Sequence, residues 1–152
     1  MASKEVEVIN RFIKSGILRG WFIGEVPVGL EAIKRKARGK GYSEKEIDMV
    51  KGVYSKKIDL ICVLGVNKRP IRVSLKQWEW VRKHELMGKS VWLLEAKRRL
   101  SAEALGQILV NDYLFKRDNP GIRVVGLGII CEDTDELVEE VCKKYGVMVF
   151  RV

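Results

Sequence analysis

Four side chains in this sequence are placed to do chemistry together. Glu95 and Lys97 stand two residues apart at the end of the run Val91-Trp92-Leu93-Leu94-Glu95-Ala96-Lys97-Arg98-Arg99. The run starts apolar and rich in β-formers, which reads as a strand buried on both faces. Side chains at i and i+2 of a strand leave the same face, with about 3.3 Å of rise per residue. The carboxylate and the ammonium therefore stand side by side. Asp59 lies at the start of a second apolar run, Ile58 to Gly65. Glu5 projects to the apolar side of an amphipathic stretch over residues 4–15. Carboxylates converging at strand ends cannot all stay charged and unpaired. A hard divalent cation, Mg2+ or Mn2+, would neutralise them, because it prefers oxygen ligands. Such an ion acidifies a water and stabilises charge developing on a phosphate. A lysine beside it can orient that water or meet the developing charge. Together these are the means of cutting a phosphodiester with water. Each residue also has a plainer reading: a strand end running into solvent, an aspartate closing a turn, an acid favoured by a helix N-terminus.

The elements that must position them follow from patterning. Residues 4–15 read as a helix with Ser3 as its N-cap, and Val8, Ile9 and Phe12 on its apolar side. Gly20 to Val28 reads as a short strand ended by a proline turn. Residues 29–57 read as a basic helical insertion. A helix over 31–38 is broken at Gly39-Lys40-Gly41, and a second opens on a Ser43/Glu46 capping box. Residues 66–89 read as another insertion. Here 70–73 forms a hairpin with 58–64, and a helix over 75–87 opens on a Ser74/Gln77 capping box. Trp78 and Trp80 cannot share a helix face, so one is core and the other is exposed as a candidate stacking platform. A helix over 101–116, capped by Ser101, projects Gln107 toward the strand ends. A strand over 122–130, a helix over 135–145 capped by Asp133 or Thr134, and a strand over 147–152 close the chain. The result is a single α/β domain, a mixed central β-sheet flanked by helices.

The 152 residues carry a net charge of +9, unevenly spread. Residues 1–100 hold 23 Lys/Arg against 11 Asp/Glu, whereas 101–152 hold 6 against 9. A basic surface and a polyanionic partner follow from that asymmetry. Lys34, Arg35, Lys36, Arg38 and Lys40 before a glycine hinge suit phosphate contacts, as do Arg98 and Arg99. Four Asn and two Gln beside abundant Lys and Glu also suit a thermophile's surface, although such a surface should be balanced in sign. No apolar run approaches the roughly 20 residues of a membrane span, and no signal-peptide core follows Met1. Cys62, Cys131 and Cys142 sit singly in apolar segments, as reduced thiols of a cytoplasmic protein would. His84 is the only histidine, which argues against a His-based nuclease or a histidine-rich metal site.

In this order the elements resemble the PD-(D/E)xK nuclease superfamily, the restriction-endonuclease-like fold. In that family an acid begins the second core strand and Glu-x-Lys lies on the third; Asp59 and Glu95-Ala96-Lys97 stand in those places. Glu5 resembles the additional helix acid of archaeal Holliday-junction resolvases. Gln107 resembles the residue on the helix that follows the motif in RecB-like members. The resemblance implies an endonuclease acting on duplex, branched or single-stranded DNA. Asp59 and Glu95 would hold Mg2+ or Mn2+, Lys97 would assist the attacking water, and Glu5 and Gln107 would support the site. A homodimer would suit junction or double-strand cutting. A binding module that keeps the fold without catalysis is the alternative, and an RNA substrate is a third possibility. Three departures stand out: Ile58 where many members have proline, a long interval from Asp59 to Glu95, and Asn111 where RecB-like members have tyrosine.

Overall fold

The computed structural model describes residues 4–152, apart from the side chains of 52–54. The Ser3 cap lies outside the described residues.

The chain runs α1 (Lys4–Ser15), β1 (Trp21–Val28), α2 (Leu30–Gly39), α3 (Glu44–Tyr54), β2 (Lys56–Val63), β3 (Ile71–Arg72), α4 (Leu75–His84), β4 (Ser90–Arg99), α5 (Ala102–Asp118), β5 (Arg123–Asp133), α6 (Glu136–Lys144) and β6 (Val147–Arg151). The strands form one mixed six-stranded sheet in the order β3-β1-β2-β4-β5-β6. β2 runs antiparallel to both β1 and β4. β4, β5 and β6 are parallel, joined through α5 and α6. Both crossovers step one strand outward in the same direction, so α5 and α6 land on the same face. That face, with α4 and the start of α2, buries Trp78, Ile108, Phe115 and Cys142 against Ile61, Leu93 and Ile129. The opposite face is covered by α1, whose Val8 and Phe12 pack on Phe22, Leu60, Leu94 and Ile130. With both faces covered, β4 carries the unbroken apolar run that its sequence shows.

The capping boxes expected at Ser43/Glu46 and Ser74/Gln77 both form. Three local expectations are corrected. The segment at 71–72 does not make a hairpin with β2; it pairs parallel with β1. β2 already has β1 and β4 on its two edges, so the free edge of β1 is the one left for it. The indole of Trp21 donates to the carbonyl of Arg69 at 3.0 Å and holds the connecting loop on that edge. β1 continues past Pro27 to Val28. The proline is tolerated because β3 pairs β1 only at Ile23 and Gly24, so no neighbour lies beside Pro27 on that edge. Asp135, rather than Asp133 or Thr134, caps α6 through bonds from the Leu137 and Val138 amides. Asp133 is still in register with Arg99, so β5 uses it as strand.

Trp92 lies flat across β5. A Cβ added to Gly126 would meet its indole at 2.4 Å, closer than real contacts allow. Gly126→Ala is expected to lower stability by about 1–3 kcal/mol through overpacking. The loss would be read as a reduced denaturation midpoint with an unchanged slope.

Candidate functional site

The site is built where β2 and β4 part. Their pairing runs Val63↔Val91, Cys62↔Trp92, Ile61↔Leu93 and Leu60↔Leu94, and stops there. Asp59 and Glu95 occupy the next position in register. In place of the main-chain partner that the ladder would supply, the Asp59 carboxylate accepts a hydrogen bond from the Ala96 amide at 2.9 Å. β1 and β2 also change facing at this level. Trp21 and Ile23 face the α5 side, and beyond Glu25 that side is taken by Val26 and Val28. Glu25 lies opposite Asp59 and absorbs the change in a left-handed conformation, φ 58°. Such backbone strain in a non-glycine residue is enriched at functional sites.

Glu95 is 3% exposed. Alternation places it on the face of Leu93, toward α5, where the Asn111 side-chain amide donates to its carboxylate at 2.6 Å. Burial first, and then the adjacent Asp59 carboxylate, push Glu95 up to about 9; the Asn111 bond and the positive charge of Lys97 oppose the shift only in part. Two carboxylates in contact and largely out of water need a proton or a cation between them. Lys97 is half-buried at the mouth, and Arg98 and Arg99 are exposed beyond it. Arg98 lies 3.8 Å from Glu132, which Arg11 also engages.

Asp59, Ala96 and Lys97 open into a cleft of about 670 Å3, floored by apolar side chains of α1 and by Phe22 and Leu60. Glu5 is exposed on the rim of the same cleft. Glu25 lies there too, paired with Arg72 at 2.6 Å. Asp59, Glu95 and Lys97 thus come together; Glu5 shares the cleft with Asp59 and Lys97, whereas Glu95 lies beneath it on the α5 side. Gln107 is half-buried one turn before Asn111 on α5, and Asn111 is the residue bonded to Glu95. Sequence reasoning treated Asn111 only as a departure from a motif. The signal that could have found it was the i, i+4 spacing from Gln107, which puts both on one helix face.

The donor set consists of oxygen atoms, which suits Mg2+ or Mn2+. Among the described residues no group of three or more His, Cys, Asp or Glu is arranged to hold a metal. Mg2+ is commonly held by one or two carboxylates with water and substrate phosphate completing its shell, so the pair fits it.

The basic insertion is anchored from a distance. Gly29 caps α2 with no side chain of its own, in a left-handed conformation. The carboxylate of Asp118, at the end of α5, accepts from the amides of Gly29, Leu30 and Glu31 at 2.9, 3.2 and 3.1 Å. Arg35, Lys36, Arg38 and Lys40 are exposed on α2 and just past it, and Lys34 is half-buried. Arg38 is shared with Glu44 at 3.5 Å. Among the described residues no helix is long and apolar enough to cross a membrane.

Compared with known proteins, the chain matches no family model, no curated protein and no solved structure.

Proposed function

We propose that this protein is a metal-dependent nuclease that hydrolyses DNA phosphodiester bonds at the Asp59–Glu95–Lys97 cluster. The observation that carries the reading is the end of the β2–β4 ladder. It sets the buried Glu95 carboxylate against that of Asp59, and Asp59 and Lys97 open into a cleft. The order of elements and the Glu-x-Lys pattern, with their resemblance to PD-(D/E)xK nucleases, support it further.

In this reading Asp59 and Glu95 hold Mg2+ or Mn2+. When bound, the ion supplies charge neutralisation at the phosphate and a more acidic water. Asn111 fixes one Glu95 oxygen. The Ala96 amide does the same for Asp59. Both ligands are therefore held without reorganisation at the moment of reaction. Lys97 is placed to hold the attacking water and to meet charge developing on the phosphate. Glu5, across the cleft, restricts where the strand can lie. The exposed cations of α2 hold the phosphate backbone without reading bases.

The test is cleavage of duplex, single-stranded, flapped and four-way DNA by the purified protein, with and without Mg2+ or Mn2+. Metal-dependent cutting that is reduced about 10²–10³-fold by Lys97→Ala, with binding retained, is the expected outcome. Metal-independent cutting would sink the reading. The charge reversal Arg35→Glu/Lys36→Glu should weaken binding to every sequence alike. It should also reduce the slope of log affinity against log salt by about 2, roughly one for each phosphate that is no longer neutralised.

A second reading is favoured by one observation: both carboxylates already have a partner in the chain, and among the described residues no third donor completes the set. It describes a binding module in which Glu95 stays protonated. Salt-sensitive binding with no turnover under any divalent metal would decide for it.

A further inference from the structure

Trp80 is the exposed tryptophan of the four in this chain, at 55%, on the outer side of α4. The inner side of that helix is committed to the core through Trp78 and Val81. The indole does not lie loose. The His84 imidazole stacks on it with centroids 4.7 Å apart and planes 18° from parallel. His84 is itself fixed by a 2.9 Å bond between its Nδ1 and the Trp80 carbonyl. The stack removes side-chain freedom that a ligand would otherwise have to remove on binding. Helical spacing puts Lys76 one turn before the indole and Lys83 one turn after it, on the same side. Among the described residues neither lysine is paired with an acid, whereas Glu79 on this helix is paired with Lys51 of α3 at 2.8 Å. α4 follows Arg72, which lines the cleft. The chain path bounds the distance from Arg72 to Trp80 at about 20 Å.

We propose that α4 is a single-strand platform: an unpaired base stacks on Trp80 while Lys76 and Lys83 take the flanking phosphates. The substrate class that follows is DNA with an unpaired segment a few nucleotides from the cut. The platform rests on the reading of the protein as nucleic-acid-binding, and only its distance from the cut rests on catalysis. Base–aromatic stacking combined with a basic track is the physical mode of single-strand binding. A single indole on a convex helix cannot stack on a base in duplex without unstacking a step, at a cost of a few kcal/mol. An aromatic flanked by two unpaired cations is also unlike the centre of a protein–protein interface, where charge is depleted.

The experiment is titration of the metal-free protein with oligothymidine and, separately, with a hairpin duplex, read by tryptophan fluorescence and by anisotropy of labelled DNA. Oligothymidine is expected to quench the wild type. Trp80→Ala should abolish most of the quench and weaken oligothymidine binding about 5- to 100-fold, with duplex affinity within about twofold. Trp80→Phe should retain most of the affinity. Equal oligothymidine binding by wild type and Trp80→Ala would overturn the platform and leave the DNA reading intact. A parallel loss for duplex and single strand would overturn it as well. Binding of neither DNA by the wild type would remove both proposals.

Discussion

Glu95→Gln is expected to lose metal-dependent cleavage by at least about 10³-fold while making the metal-free protein more stable. The two effects have one origin. Glu95 is buried and set against Asp59, and its carboxyl titrates at about 9 rather than at the ordinary 4.5. A group whose pKa is higher in the fold than in the unfolded chain holds its proton more tightly in the native state. Its contribution to stability is complete below about pH 4.5 and is lost as pH rises toward 9. Wild-type protein without metal should therefore melt progressively lower between pH 5 and pH 9. Glutamine carries no charge at any pH, keeps an acceptor for Asn111 and offers Asp59 a donor. The variant should melt about 4–8 °C above wild type at pH 8 and close to it at pH 5, on the basis of roughly 2 kcal/mol relieved. Added Mg2+ should raise the wild-type melting temperature and leave the variant nearly unmoved. The loss of cleavage corresponds to roughly 4 kcal/mol of transition-state stabilisation, the order expected when a metal is no longer held. Full cleavage by Glu95→Gln would end the assignment. A flat wild-type melting profile between pH 5 and 9 would show that the two carboxylates are better solvated than their burial indicates.

The second large effect is structural and reaches the surface proposed to bind DNA. Asp118→Ala removes at once the acceptor of the Gly29 cap amide and of the first two α2 amides. Two of those bonds are buried, and α2 has no cap of its own to replace them. A loss of about 2–4 kcal/mol is expected from orphaned buried donors and a missing cap. It would be read as a fall in melting temperature of about 4–16 °C. Asp118→Asn, which keeps one acceptor oxygen, should lose less. Because α2 carries the exposed cations, DNA affinity should drop in Asp118→Ala at a temperature where the core is still folded. A core and an α2 that melt together, with affinity unchanged up to that point, would show that α3 and the sheet hold α2 without this cap.

Most of the architecture is legible in the sequence because its signals are local. Ser43/Glu46 and Ser74/Gln77 announce two helices within four residues each, and the apolar runs at 58–64 and 91–96 announce strands covered on both faces. The convergence of Asp59 with Glu95 is legible as well. Each acid sits at the end of an apolar run, where an unpaired charge is costly. What is not legible depends on contacts between distant residues. The cap of α2 is supplied from 89 residues away, and nothing near Gly29 points to Asp118. Asn111 on α5 is an ordinary helix residue until its distance to Glu95 is known. The pairing of β3 with β1 depends on which sheet edges are already taken, which no window of sequence records.

The seam between β2 and β4 has a further consequence. Strands β1, β2 and β3 come from residues 21–72, and β4, β5 and β6 from residues 90–151. The sheet is thus two contiguous stretches of chain joined through four pairs of residues. Asp59 belongs to one stretch, Glu95 and Lys97 to the other. Neither stretch holds a complete cluster, so the proposed chemistry requires that the two be docked. For the proposed nuclease, cleavage would then serve as a signal of reassembly. If the chain of the proposed nuclease is severed in the exposed loop around Gly65 or Gly88, the fragments are expected to stay silent apart and to cut DNA only when they rejoin.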